Sequence, residues 1–102
     1  MAVANSGVAT RARPAAWTGA IGNVVVENHP VNVTAVSFNG GAGGGTFIMF
    51  DNATTNAGNV LYSQVLVAGQ IDTILFPVPL KARNGITINA SAALGVGSVH
   101  AY

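Results

Sequence analysis

The chain of 102 residues contains no cysteine and very little charge. Without cysteine it can form no disulfide, no zinc–thiolate site and no thiol nucleophile. Only 7% of the residues are charged, whereas an ordinary soluble domain has about 25%. Half of the residues are hydrophobic, which excludes a disordered polar chain. The length predicts one domain with a modest core.

The low charge has a consequence for the surface. A formal net charge of +1 gives little repulsion between copies of a soluble protein. Either asparagine, threonine and serine hydrate the surface, or much of it is covered by other copies of the chain or by a larger assembly. We favour the second interpretation because the deficit of charge is so large.

Long apolar runs and helical patterns are missing as well. Serine, glutamine, glycine or aspartate interrupts each apolar run well before the roughly 18 residues that a membrane-spanning helix needs. The first twenty residues include several polar side chains and no apolar segment of a secretory signal. No stretch has apolar residues at helical spacing between helix caps, so we expect no helix.

What the sequence does contain is a series of short β-branched and aromatic runs bounded by glycine, asparagine and proline. This pattern is typical of antiparallel strands. Its centre is residues 46–76, which follow a glycine tract at residues 40–45. We predict seven or eight short strands in one domain, residues 21–102. The predicted fold is an all-β antiparallel sandwich, with a jelly roll as one arrangement and a small barrel as the alternative.

Two local signals predict how strands are connected. Asn84-Gly85 between apolar runs is a strong hairpin signal and predicts that residues 80–83 pair with residues 86–90. Residues 77–79, Pro-Val-Pro, cannot donate to a strand ladder, so they belong at a sheet edge or at a crossing between sheets.

The run at residues 31–38 alternates in a way that predicts a strand with two partly buried faces. Simple alternation puts Val33 and Ala35 on one face and Val36 and Phe38 on the other.

Residues 1–20 differ from the rest because small residues dominate and no alternation is present. We predict an extended N-terminal arm there. Arg11, Arg13 and Trp17 are its candidate contacts with a neighbouring subunit. The alternative for Trp17, the single tryptophan of the chain, is that it fills one end of its own core.

No catalytic constellation is visible. The carboxylates are few: Glu27, Asp51 and Asp72. We expect Asp51 and its neighbour Asn52 to form an Asx turn at the start of a loop, and Asp72 to face solvent. The two histidines, His29 and His100, have no carboxylate or thiolate partner in the pattern and do not provide the three protein ligands of catalytic zinc. We therefore predict no enzymatic activity, no metal and no cofactor.

The remaining motifs indicate no catalytic or phosphate-binding chemistry. The glycine tract lacks the Lys-Ser/Thr of a phosphate loop and leads into a strand, so we expect a flexible hairpin tip or a close backbone contact. Four scattered basic residues make no nucleic-acid patch. The loops at residues 39–45 and 51–59, with Tyr62 or Tyr102, could hold a sugar.

Residues 40–102 resemble a group of small structural proteins of tailed bacteriophages and prophages. The motifs that carry the resemblance are Asp51-Asn52-Ala53-Thr54, Gly58 followed by Val60-Leu61, Phe76-Pro77-Val78-Pro79, Asn84-Gly85-Ile86-Thr87 and the aromatic Tyr102. The first twenty residues lie outside it.

This resemblance implies a capsid decoration or cement protein on the virion surface, made in the cytoplasm of the host bacterium. Such a protein would bind and stabilise the shell of the major capsid protein, as a homo-oligomer with a trimer favoured, without contacting nucleic acid or membrane. The alternative is a receptor- or carbohydrate-binding module of a phage tail or head fibre, whose ligand would lie at the two loops.

Overall fold

The computed structural model describes residues 13–19 and 24–102. Within these ranges the chain forms eight strands: β1 Arg13–Thr18, β2 Val24–Glu27, β3 Val31–Asn39, β4 Gly45–Phe50, β5 Val60–Leu66, β6 Ile71–Ala82, β7 Ile86–Ala90 and β8 Val96–Ala101. The described residues contain no helix that could cross a membrane. The all-β prediction is confirmed.

The strands pair as one long hairpin that has been rolled up. β4 pairs with β5, β3 with β6, β2 with β7 and β1 with β8, and every pair is antiparallel. Two more ladders, β3 with β8 and β4 with β7, roll this hairpin into two sheets. Sheet A has the order β1-β8-β3-β6, and sheet B has the order β2-β7-β4-β5. The predicted sandwich is confirmed, and this strand order is that of a jelly roll.

The core between the two sheets is crossed by a series of aromatic rings. The ring of Trp17 lies 4.9 Å from that of Phe47, and Phe47 lies 5.0 Å from Phe38. Tyr62 continues the series at 6.1 Å from Phe38, and Phe76 ends it at 5.5 Å from Tyr62. Tilted and edge-on ring pairs at these distances are favourable. The series joins the β1 side of the sandwich to the β5 and β6 side.

The predicted arm needs a correction. Residues 13–18 form β1, which pairs with β8 along its whole length, so this part is a strand of sheet A. Trp17 is 1% exposed and belongs to the core, which is the second of the two interpretations of this side chain. This strand was not predicted because Ala15 and Ala16 have low β-strand propensity.

The alternation predicted for residues 31–38 is also wrong in its second half. The register of β3 shifts between Val33 and Ala35 against both of its neighbours. A β-bulge of this kind changes which face later residues point to. As a result Val33, Val36 and Phe38 all lie in the same core, although simple alternation separates them.

The hairpin predicted at Asn84-Gly85 does not form. Leu80 and Ala82 belong to the end of β6 and pair with β3 in sheet A, whereas β7 pairs with β2 and β4 in sheet B. Asn84 and Gly85 therefore carry the chain from one sheet to the other. The backbone N–H of Asn84 donates to Asp51 Oδ1 at 2.8 Å, and this long-range bond replaces the local turn that the dipeptide predicts.

The prediction for the Pro-Val-Pro segment is confirmed, because β6 is one of the two edge strands of sheet A. Ala35 pairs with Leu75 and Val33 pairs with Leu80, so a single residue of β3 faces four residues of β6, residues 76–79. The prolines lie where the ladder is already interrupted, which is where a sheet tolerates them.

Candidate interaction surface

The exposed apolar residues of the described chain are concentrated on one part of the sandwich. Nine large hydrophobic side chains are exposed, and six of them belong to β5, β6 or the turn between them: Val60, Val65, Val67, Ile71, Leu75 and Val78. We call this part, residues 60–82, the β5–β6 edge. Between residues 60 and 80 its one charged residue is Asp72. Val65 of β5 alternates with the buried Leu66 and lies on the outer face of sheet B, whereas Ile71 and Leu75 of β6 lie on the outer face of sheet A. Exposed apolar side chains grouped on edge strands in this way are typical of interaction surfaces in soluble proteins.

The strand order explains why this surface is open. β5 is the last strand of sheet B and β6 is the last strand of sheet A, at the same side of the sandwich. An edge strand presents backbone N–H and C=O groups that have no ladder partner, and these groups can pair with another chain. The β5–β6 edge thus combines exposed apolar side chains with available backbone groups.

The inner side of the β5–β6 edge is closed by side chains of its own. Tyr62 lies opposite the buried Met49 of the neighbouring strand β4, and its side chain packs against the core of the sandwich. Its hydroxyl donates to Gln64 Oε1 at 2.9 Å, and its ring contacts Phe76 of β6. Tyr62, one of the two tyrosines considered for a sugar site, is therefore used to join the two edges.

The loop at residues 51–59 uses its polar groups internally. Asn52 Oδ1 accepts the backbone N–H groups of Thr54 at 2.9 Å and Thr55 at 3.0 Å, which confirms the predicted Asx turn for Asn52. Asp51, the other residue of the predicted pair, instead accepts the N–H of Asn84. The hydroxyl of Thr87, a fully buried residue of β7, donates to the carbonyl of Asn52 at 2.7 Å. This bond fixes the loop against sheet B.

The glycine tract makes close backbone contacts. Gly44 N–H donates to Gly40 C=O, and Gly69 N–H donates to Gly41 C=O, each at 2.8 Å. A Cβ added at Gly40 would lie 2.0 Å from the carbonyl oxygen of Val67. Of the two roles considered for this tract, the structure shows the close backbone contact, which holds it against the turn between β5 and β6.

Both histidines have polar neighbours, and His29 has two, since its Nδ1 also lies 3.2 Å from the carbonyl oxygen of Pro30. His29 Nε2 lies 3.3 Å from Glu27 Oε1. This partner was not predicted, although Glu27 ends β2 and His29 follows it by two positions. His100 Nε2 lies 3.0 Å from Ser98 Oγ. The described residues contain no group of three or more His, Cys, Asp or Glu that could hold a metal ion.

The structure describes two of the three candidate contacts of the predicted arm. Arg11 lies outside the described residues, and Arg13 is the first residue of β1, opposite Ala101. Trp17 is buried in the core of its own chain. A contact of Arg11 or Arg13 with another subunit or with a capsid stays a prediction.

Fold and surface together define a small jelly-roll protein whose candidate site is an exposed apolar edge. No family model, no curated protein and no solved structure matches the chain.

Proposed function

We propose that the protein is a non-enzymatic structural protein of a bacteriophage virion that decorates the head and stabilises it by binding the major capsid protein. The observation that carries this proposal is the concentration of exposed apolar side chains on two edge strands. The jelly-roll order supports it, because this fold is common among viral capsid domains. The resemblance of residues 40–102 to phage structural proteins points to the same class.

The β5 half of the edge is the candidate contact with the capsid. It has no charged residue and no proline, so its free backbone groups could pair with a strand of a capsid subunit, while its side chains give specificity. Val65 is 72% exposed, and complete burial of a valine is worth about 1.5–3 kcal/mol. The low charge of the chain also supports this proposal, because a surface that is covered by capsid subunits or by other copies of the protein needs few charged side chains.

Binding to empty heads of the phage or prophage that encodes the chain tests this proposal. The heads are prepared without the protein, mixed with purified protein and sedimented. We expect the protein to sediment with the heads and to raise the temperature at which they open. The Val65→Lys variant should bind about tenfold more weakly or worse, because a lysine ammonium would have to be desolvated at the contact.

The matched control is Val96→Lys, which changes an exposed valine on a central strand of sheet A. This variant should bind as the unchanged protein does. Absence of sedimentation with the heads would overturn the proposal. A specific signal on a glycan array in that case would favour the receptor- or carbohydrate-binding alternative.

A further inference from the structure

The first part of β6, residues 71–75, has a defined set of free backbone groups. Gly40 N–H donates to Gln70 C=O at 2.7 Å, immediately before the pair of Asn39 and Ile71. Backbone groups point alternately to the two sides along an antiparallel strand. Asp72 and Ile74 therefore direct theirs to β3, whereas Ile71, Thr73 and Leu75 direct theirs away from the sheet.

The bond made by Thr73 agrees with this assignment. Its backbone N–H donates to Asp72 Oδ1 at 2.8 Å, so it is available to an acceptor other than β3. The Asp72 carboxylate thus covers one of the free donors of the edge. Charged residues that cover an edge are a common protection against unwanted strand pairing.

Side chains at the three free positions form a symmetric pattern. Ile71 is 81% exposed and Leu75 is 72% exposed, and Thr73 lies midway between them. If two copies of the strand run antiparallel with Thr73 opposite Thr73, each Ile71 faces Leu75 of the other copy. Asp72 then faces Ile74, so the two carboxylates do not oppose each other. Aliphatic pairs and threonine pairs are favourable in such ladders, and like charges are not.

We infer that β6 is a self-association site, at which residues 71–75 pair with the same residues of a second copy around a two-fold axis at Thr73. The two four-stranded A sheets then join into one sheet of eight strands. Three facing pairs of this kind exchange about six backbone hydrogen bonds. The contact is isologous, because the same surface is used on both copies.

Neighbouring residues limit the extent of this pairing. Pro77 has no N–H, and residues 76–79 leave the ladder with β3, so the paired segment ends at Leu75. The contact is therefore short and reversible, and the Asp72 carboxylate must move away from Thr73 N–H when the second strand binds. This inference does not depend on the proposed binding to the capsid.

Cysteine cross-linking tests the register directly, because the chain has no cysteine of its own. Facing residues of a hydrogen-bonded antiparallel pair have Cα atoms about 5.5 Å apart, within the roughly 4.4–6.8 Å range that a disulfide bridges. We expect the Thr73→Cys variant to form a covalent dimer under mild oxidation. The Ile71→Cys variant should not, since its two copies would lie about 14 Å apart at ~3.4 Å per residue.

A mixture of the Ile71→Cys and Leu75→Cys variants should form a mixed covalent dimer, because these two positions face each other. If Ile71→Cys alone cross-links as well as Thr73→Cys does, or if no variant cross-links, the inferred register is wrong.

Sedimentation equilibrium over micromolar to submillimolar concentrations tests the association itself. We expect a monomer–dimer equilibrium, with a dissociation constant raised about tenfold or more in Leu75→Lys. The Asp72→Ala variant should dimerise more tightly, because Thr73 N–H is no longer covered. The Val65→Lys variant is the matched control, since Val65 is as exposed as Leu75 but lies on β5. A monomer at all concentrations, a trimer, or equal weakening by Val65→Lys would overturn the inference.

Discussion

Trp17 Nε1 donates a hydrogen bond to the backbone carbonyl of Ser37 at 3.0 Å, although a complete strand lies between the two residues. Trp17 belongs to β1 and Ser37 to β3, and β8 runs between them. The indole passes over Gly97, its direct partner in β8. A glycine is needed there because a side chain would occupy the space of the ring.

We expect the Gly97→Ala variant to lose about 2 kcal/mol or more of unfolding free energy, as is typical when a packed core is overfilled. The added Cβ would lie 2.5 Å from Cε2 of Trp17 and 2.1 Å from the carbonyl oxygen of Ser37. Urea unfolding followed by circular dichroism measures the change.

The control for this prediction is Gly69→Ala, at a glycine with a φ of 76° and no heavy atom within 4 Å of an added Cβ. Backbone strain alone should cost about 1 kcal/mol there. Equal losses in the two variants would show that crowding against Trp17 is not the cause.

The Trp17→Phe variant should lose about 1–3 kcal/mol from the hydrogen bond alone, because the carbonyl of Ser37 is left without its indole donor. The comparison variant is Tyr62→Phe, which also removes a hydrogen-bond donor, but from a half-buried position that water can reach. We expect a smaller loss there. A Trp17→Phe variant as stable as the unchanged protein would contradict the role assigned to this bond.

The carboxylate of Asp51 should contribute about 2 kcal/mol to the free energy of unfolding, as is usual for a hydrogen bond to a charged group. It is 7% exposed and accepts the N–H of Asn84 at the crossing between the sheets. We expect Asp51→Ala to lose this stability in urea unfolding. The matched change Asp72→Ala, at an exposed position, should leave the stability of the monomer almost unchanged.

Thr87 should control how firmly the loop at residues 51–59 is held. Removal of its hydroxyl in Thr87→Val leaves the carbonyl of Asn52 without this donor, which should cost about 1–2 kcal/mol. Hydrogen exchange at the amides of Thr54 and Thr55 should become faster, because local opening of the loop becomes easier. Thr87→Ser retains the hydroxyl and should behave like the unchanged protein; faster exchange in both variants would point to packing of the methyl group instead.

Strand positions were predictable from the sequence because the signals are local. β-branched runs that end at glycine, asparagine and proline mark most of the observed strands, and β1, with its alanines and proline, is the exception. The jelly roll was predictable only as one of several arrangements. Which strands pair depends on contacts between residues far apart in the chain, and a sequence pattern does not contain these.

Asn84-Gly85 shows how a local signal can be overruled. The dipeptide favours a two-residue turn, but Gly85 has a φ of 147°, and the N–H of Asn84 is bound to Asp51 more than thirty positions earlier. The bulge at Val33 and the burial of Trp17 have the same origin, since both depend on neighbours that come much later in the chain. The apolar composition of the β5–β6 edge was visible in the sequence, but its exposure was not, because exposure follows from the strand order.

The rolled hairpin determines the order in which strands can pair while the chain is being synthesised. β8 lies between β1 and β3 in sheet A, so β1 has no neighbouring strand until residues 96–101 have been made. Until then Trp17 leaves the ribosome without the Gly97 surface that covers it, while the inner pair of β4 and β5 can already form. Pairing across most of the chain is slow to form. The nascent chain therefore carries its tryptophan without this cover until β8 has been made.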